Sequence, residues 1–108
     1  MGICKIFIII LLFSFSLTTR LKADSEKIVL GLEIFNNKAM CGVCHVLKAA
    51  GSTGNIGPDL DSLKPSEEQV RDVVVEGLGV MPAFGEEGLL TSEEIDAVSY
   101  YVAYSSGK

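Results

Sequence analysis

The sequence predicts a small all-α domain, and two features support this prediction. Three segments place apolar side chains at the three- and four-residue spacing of an amphipathic helix. No segment shows the apolar and polar alternation that is typical of a strand. The chain has 108 residues, which is enough for one small domain, and it shows no internal repeat.

The chain begins with a segment that is typical of an export signal. Residues 6–17 carry no charge, a lysine precedes them, and Ala23 is a small residue at a suitable cleavage position. The apolar run is shorter than the about 20 residues that a membrane-spanning helix needs. We therefore expect a signal peptide at residues 1–23, a domain at residues 24–108 and a periplasmic location. Leu21 is large for a position so near the cut, so an uncleaved N-terminal anchor is the alternative.

The charge of the chain restricts its partners. The sequence has 14 Asp and Glu residues, 9 Lys and Arg residues and a net charge of −5. Removal of the leader also removes Lys5, Arg20 and Lys22, which makes the remaining chain more acidic. This charge argues against nucleic acid or an anionic membrane as partner, because both attract basic surfaces. It favours a partner protein with a basic docking patch, or it serves solubility alone.

The first predicted helix covers residues 25–37. Asp24 or Ser25 can cap its N-terminus. Its apolar face is formed by Ile28, Leu32 and Phe35. Gly31 lies inside this helix, where glycine costs up to about 1 kcal/mol relative to alanine. This cost predicts that another helix approaches closely at Gly31.

The second predicted helix covers residues 66–76. Ser66 and Gln69 have the spacing of a capping box, and Gly77 is a suitable stop. Its apolar side is formed by Val70, Val73 and Val74. The glycine-rich residues 49–63, which precede it, are predicted to be mostly loop.

The third predicted helix begins at Thr91 or Ser92 and ends at Tyr104. Thr91 can cap it, and two glutamates follow in the first turn, where they suit the helix dipole. Its buried stripe is formed by Ile95, Val98, Tyr101 and Val102.

The chemistry of the chain is concentrated in the motif Cys41-Gly42-Val43-Cys44-His45. Two cysteines three apart, followed directly by histidine, form the attachment pattern of haem c. Each thiol can add to one vinyl group of the haem, and the adjacent imidazole can then bind the iron. The covalent links keep the haem bound even when an axial bond opens.

Two other kinds of site fit this motif less well. A redox-active Cys-x-x-Cys normally belongs to an alternating pattern of strands and helices, and no strand is predicted here. A structural zinc site needs four ligands, whereas the domain offers Cys41, Cys44 and His45 and would need a carboxylate or a partner. Haem c is therefore the predicted cofactor. A domain of this size is also marginally stable without a cofactor or cross-link.

The second axial ligand follows by elimination. His45 is the only histidine, so two histidines of one chain cannot bind the iron. Met40 is adjacent to Cys41 and is expected to pack at the end of the first helix. Met81 remains, and Pro82 after it favours an exposed loop that can fold over the haem. Methionine opposite histidine raises the haem potential, which suits an electron carrier.

A hydrogen-bond partner for the iron-bound histidine is also available. Such a histidine usually donates its other N–H to a carbonyl or carboxylate. Proline has a carbonyl but no N–H, so Pro58 can accept this bond. From spacing alone, an ordinary turn at Pro58 is the alternative.

Together these residues resemble class I cytochromes c, particularly the short bacterial monohaem forms, over essentially the whole domain. The resemblance implies a small class I cytochrome c fold, in which three main helices and glycine-rich loops wrap around one covalent haem. It also implies that the first and last helices cross where Gly31, Phe35 and Tyr101 lie.

The resemblance implies roles for loop residues as well. Pro58 resembles the proline whose carbonyl supports the proximal histidine, and Leu60 resembles the leucine that contacts haem. Met81, Pro82 and Phe84 resemble the loop of the distal ligand, although Glu86 and Glu87 place unusual acidic charge nearby. Val43 is predicted to join Leu60 and Phe84 in the apolar wall. The predicted haem-binding residues are Cys41, Cys44, His45, Pro58, Leu60, Met81 and Phe84, with His45 and Met81 on the iron.

The function predicted in this way is that of a soluble periplasmic carrier that transfers one electron at a time, an electron-transfer protein without catalytic residues. Its expected partners are redox proteins, with a dehydrogenase or cytochrome complex as donor and a terminal oxidase as acceptor. We expect a monomer with no small-molecule substrate. One alternative is a haem c subunit of a periplasmic dehydrogenase complex such as sulfite dehydrogenase. Another is a ligand-binding haem protein with an open iron, in which Met81 only fills the core.

Overall fold

A computed structural model describes residues 2–108, with side chains described from Thr18 onward. The first helix, α1, covers Gly2–Glu33 and continues as a π-helical segment over Ile34–Lys38. A 3₁₀ turn over Cys41–Val43 leads to strand β1 at Val46–Leu47, a second 3₁₀ turn at Lys48–Ala50 and strand β2 at Ser52–Thr53. The remaining helices are α2 at Leu60–Leu63, α3 at Glu67–Glu76 and α4 at Ser92–Ser105.

The core is centred on the crossing of α1 and α4. A methyl group on Gly31 would overlap the Ala97 carbonyl oxygen and the Tyr101 Cβ, so only glycine lets the two backbones approach this closely. Phe35 is fully buried and packs edge-to-face on Tyr101, with ring centroids 6.2 Å apart. The predicted approach of another helix at Gly31 is confirmed.

The start of the first helix differs from the prediction. Helix α1 continues upstream from Ser25 to Gly2, so neither Asp24 nor Ser25 caps it. The Ser25 hydroxyl instead donates to the Leu21 carbonyl oxygen at 3.0 Å, as a serine inside a helix does. The helix continues through residues 18–24 because this segment contains neither glycine nor proline, the two residues that most disfavour a helix. Among the described residues, no helix is long and apolar enough to cross a membrane.

The other two predicted helices are confirmed, including their capping boxes. At α3, the Gln69 N–H donates to Ser66 Oγ at 3.2 Å, and the Ser66 N–H donates to the Gln69 side chain at 3.0 Å. Thr91 and Glu94 make the same reciprocal pair at α4. Gly77 ends α3 with φ at 71°.

The middle of the chain is more ordered than the sequence predicts. Strands β1 and β2 pair antiparallel, with Val46 opposite Thr53 and Leu47 opposite Ser52, so the expectation of no strand was wrong. Each strand has two residues, which is too short for a recognisable alternation. Helix α2, capped by the Asp59 carboxylate, also lies in the predicted loop. The prediction of a mainly helical domain is confirmed.

Candidate haem site

A cavity of about 730 Å³ lies between α3, α4 and the loops that carry the cysteine motif and Met81. This volume is within the usual range for small-molecule and cofactor sites. Most of its wall is apolar, and the helical part of it comes from the inward faces of α3 and α4. These helical wall residues include Val70, Val73, Val74, Val98 and Val102.

Backbone hydrogen bonds shape the cysteine motif into a tight turn. The N–H groups of Cys44 and His45 both donate to the Cys41 carbonyl oxygen, at 3.1 and 3.0 Å. The turn brings both sulfurs and the imidazole to the cavity wall, and the two thiols are free rather than joined as a disulfide. A Cβ on Gly42 would lie 2.6 Å from the Ser52 Cβ, so β2 packs directly against the turn.

Met40, just before the motif, departs from its predicted position. It was expected to pack at the end of the first helix, but its side chain is 57% exposed at the cavity rim. Its backbone adopts the left-handed conformation, with φ at 52° and ψ at 42°. This conformation costs a residue other than glycine about 1–2 kcal/mol. The chain reverses at Met40 between the π-helical segment and the cysteine turn, which explains both the exposure and the backbone conformation.

The imidazole of His45 is oriented by one hydrogen bond and one close backbone contact. Its Nδ1 lies 2.8 Å from the Pro58 carbonyl oxygen, which can only accept, so Nδ1 carries the proton. In the neutral imidazole this leaves a lone pair on Nε2, the form of histidine that binds a metal. A Cβ on Gly57 would lie 2.6 Å from the ring carbon Cε1, so the ring packs on bare backbone.

Met81 is carried by a tight turn over residues 78–81. Leu78 and Met81 exchange two backbone hydrogen bonds, of 3.2 and 3.0 Å. Gly77 lets this turn fold back on α3, because a Cβ there would lie 2.8 Å from the Met81 carbonyl oxygen. The half-buried Met81 lines the cavity.

The structure brings together the residues that the sequence singled out. One cavity is lined by Cys41, Cys44, His45, Pro58, Leu60, Met81 and Phe84. Val43 was wrongly placed in the apolar wall, because it is 58% exposed and lines a separate small groove. Sequence reasoning missed Ile56, Leu63 and Pro65, which also line the cavity but lie in segments without helical periodicity.

Comparison with known proteins places this geometry in a family. The family model described as cytochrome C oxidase, cbb3-type, subunit III, matches residues 27–102. The chain belongs to this cytochrome c family. The cytochrome is also similar to the crystal structure of the c-type cytochrome SorU from Sinorhizobium meliloti, with 44% identity and a TM-score of 0.72. That match covers 78% of this chain and 95% of SorU. No curated protein matches the cytochrome significantly.

These matches confirm the predicted class I cytochrome c fold and the electron-transfer class of the protein. Covalent haem c at Cys41, Cys44 and His45 follows from the same family membership. The local chemistry of the cytochrome fits this cofactor. Burial, with a contribution from nearby Cys44, raises the pKa of the Cys41 thiol to about 11, so the sulfur is uncharged at neutral pH. An uncharged sulfur in an apolar wall suits a thioether link.

Proposed function

We propose that this cytochrome is an exported, soluble one-electron carrier whose haem iron is bound by His45 and Met81. The observation that carries the proposal is the convergence of both side chains with two free thiols on one apolar cavity. When bound, haem supplies the redox chemistry, because its iron accepts and releases one electron. The uncharged run at residues 6–17, preceded by Lys5 and followed by Ala23, supports export to the periplasm.

The residues of the chain then act by holding and enclosing the cofactor. Pro58 keeps the proton on Nδ1 of His45 and leaves Nε2 free for the iron. The thioether of Met81 is a soft ligand that raises the potential. Leu60, which is 9% exposed, and Phe84 exclude water from the cavity. The titratable groups on the described wall are Cys41, Cys44 and His45, and each of them holds the cofactor.

Visible spectra of the haem-loaded protein test the two ligands. The protein is produced with haem-attachment machinery, and spectra are recorded in the oxidised and reduced states. A weak ferric band at the red end of the spectrum, which marks sulfur on iron, should be present in the wild type. Met81→Ala should remove this band, and the matched control Met40→Ala should keep it. Loss of the band in Met40→Ala, or its survival in Met81→Ala, would contradict the assignment of Met81.

The proposed location is tested separately by cell fractionation and by sequencing of the N-terminus of the native protein. We expect the protein in the periplasmic fraction, beginning at Asp24. A protein that stays in the membrane fraction with its leader attached would show the uncleaved anchor instead.

A second candidate function is that of a haem subunit in a larger oxidoreductase. The description of the matching family, a subunit of a cbb3-type oxidase, favours this candidate. A dehydrogenase complex such as sulfite dehydrogenase belongs to the same class of assembly. Affinity purification of the native protein separates the two functions: a stable larger subunit in constant ratio supports the subunit role, and isolation as a monomer supports the free carrier.

A further inference from the structure

The carboxylate of Asp61 makes a second link between the two segments that are joined by His45 and Pro58. Nδ1 of His45 donates to the Pro58 carbonyl oxygen at 2.8 Å. Three residues further along both segments, the Lys48 N–H donates to Oδ2 of Asp61, also at 2.8 Å. Both bonds join residues that are 13 positions apart, so the two segments lie side by side in one register. The first bond orients the imidazole, and the second holds the segments together beyond it.

The same carboxylate also binds the C-terminal tail. Its Oδ1 accepts the Gly107 N–H at 2.8 Å, while Oδ2 remains bonded to the segment after the cysteine motif. The tail continues from α4, because the Ser106 N–H donates to the Val102 carbonyl oxygen at 3.0 Å. Val102 lines the cavity. Asp61 therefore connects three parts of the chain that enclose the cavity, namely the segment of the motif, α2 and α4.

Asp61 acts through backbone hydrogen bonds rather than through an ion pair. The ion pairs found in the described part of the chain use other acids. The N–H groups of Gly107 and Lys48, in this order of effect, hold the pKa of Asp61 below its usual range, so the group is ionised at neutral pH. Hydrogen bonds to an ionised acceptor are roughly twice as strong as those between neutral groups. One carboxylate thus supplies two strong bonds to two distant segments.

Helix α2 needs such external support. It covers only Leu60–Leu63, and the Asp59 cap satisfies the N–H groups of Asp61 and Ser62. A single helical turn is not stable by itself, because the cost of nucleation exceeds the gain from so few bonds. The position of α2, and of the proline loop directly before it, relative to His45 must therefore come from contacts with other segments. The two bonds of Asp61 are such contacts.

We propose that Asp61 is a positioning residue for the iron-bound histidine: it fastens the motif segment and the C-terminal tail to α2 and thereby keeps the Pro58 carbonyl on Nδ1 of His45. This inference rests on the proposed ligation of the iron by His45. A histidine that donates its N–H is a more basic ligand, and a more basic ligand favours ferric over ferrous iron. Asp61 thus lowers the reduction potential from outside the described cavity wall.

The first test measures the hydrogen bond itself in the haem-loaded, ferrous protein by NMR. The test variant is Asp61→Asn, which loses one acceptor oxygen and turns an NH₂ group toward a backbone N–H. The matched control is Asp72→Asn, which removes the same charge from an exposed position on α3. The Nδ1 proton of His45 should exchange with solvent at least about tenfold faster in Asp61→Asn, and less than about twofold faster in the control. Equal exchange in both variants would overturn the proposal.

The second test uses voltammetry to separate the position of the carbonyl from the charge of the carboxylate. Loss of a negative charge raises the potential in both variants, but salt screens this effect. Displacement of a carbonyl is not screened. At high salt, Asp61→Asn should therefore keep a raised potential, and Asp72→Asn should return to the wild-type value. A lower Tm in Asp61→Asn with a wild-type potential at high salt would show a merely structural role and would also overturn the proposal.

A second variant keeps the test valid if Asp61→Asn does not fold. Deletion of residues 107–108 removes the Gly107 donor and leaves the bond between Lys48 and Asp61 in place. The Nδ1 proton of His45 should again exchange faster than in the wild type, by a smaller factor than in Asp61→Asn. Unchanged exchange after the deletion would contradict the role of the tail in the proposal.

Spectra of the wild type separate failure of this inference from failure of the proposed function. In the ferric protein, strongly shifted NMR signals of the imidazole ring would show that His45 is on the iron. Their absence would overturn the proposed ligation and this inference with it. Their presence, together with equal effects of the test and control variants, would reject the role of Asp61 alone.

Discussion

The carbonyl oxygen of Pro58 lies 2.8 Å from Nδ1 of His45. This hydrogen bond joins the glycine-rich loop to the cysteine motif, and it settles which nitrogen of the imidazole carries the proton. The Gly57 N–H, one residue before the proline, donates to the Cys44 carbonyl oxygen at 2.7 Å. Each segment therefore donates one hydrogen bond to the other, and the two bonds lie on either side of the imidazole.

Gly57→Ala should displace the imidazole, because the new Cβ would lie 2.6 Å from Cε1 of the ring. We expect weaker contact between His45 and Pro58, a shifted reduction potential and a loss of about 1–3 kcal/mol in stability. Voltammetry and urea unfolding of the haem-loaded protein measure these changes. Gly88→Ala is the control, since it adds left-handed strain at φ 68° without any contact and lies outside the cavity wall. Equal potentials in Gly57→Ala and the wild type would contradict the predicted displacement of the ring.

Gly31→Ala should destabilise the crossing of α1 and α4. The added methyl overlaps the Ala97 carbonyl oxygen and the Tyr101 Cβ, and such overpacking costs about 1–3 kcal/mol. Alanine would gain at most about 1 kcal/mol from its higher helix propensity, so the clash dominates. Thermal unfolding followed by circular dichroism should show a lower Tm. Gly51→Ala, which adds left-handed strain at φ 70° but no contact, is the comparison variant. A Tm in Gly31→Ala at least as high as that of the wild type would disprove the clash.

The ion pair between Lys38 and Glu94 should contribute pH-dependent stability. Lys38 Nζ lies 2.6 Å from the Glu94 carboxylate and, with the Thr91 N–H, lowers the pKa of Glu94. A carboxylate with a lowered pKa stabilises the fold above its ordinary pKa, and this contribution disappears as pH falls through the lowered pKa. Lys38→Met should therefore cost up to about 1 kcal/mol at pH 7 and little at an acid pH below the lowered pKa of Glu94.

Urea unfolding at both pH values measures this contribution. A double-mutant cycle with Glu94→Gln isolates the pair from the capping role of Glu94. A cost of Lys38→Met that is the same at both pH values would show that lost packing of the lysine, and not the ion pair, causes the change.

Loss of haem should unfold most of the domain. Without the cofactor, the apolar cavity of about 730 Å³ would either fill with water or collapse. The double variant Cys41→Ser/Cys44→Ser cannot hold haem covalently, and we expect it to show no cooperative thermal transition by circular dichroism. The haem-loaded wild type is the reference. A cooperative melt in the double variant would show that the helices pack without the cofactor.

Local chemistry explains which parts of the fold and of the site the sequence predicts. The ends of α3 and α4 follow from capping boxes, in which side chains bond to backbone three residues away. The cysteine motif can be predicted because haem attachment requires particular residue types, and Met81 is singled out by elimination among the methionines of the domain. The backbone conformations of the neighbouring residues cannot be predicted from the local sequence. Strand β2 packs on the cysteine turn through Ser52, and β1 pairs with β2. The left-handed backbone of Met40 belongs to a chain reversal that only the assembled fold requires.

The contact of Gly31 with Ala97 and Tyr101 has a consequence for how the protein is made. It joins two helices from opposite ends of the domain, so the core depends on contacts between residues that are far apart in sequence. The last helix to leave the ribosome therefore completes the core. Until α4 is present, the face of α1 that carries Gly31 has no helix to close upon. A chain that lacks its last helix therefore lacks the centre of its core.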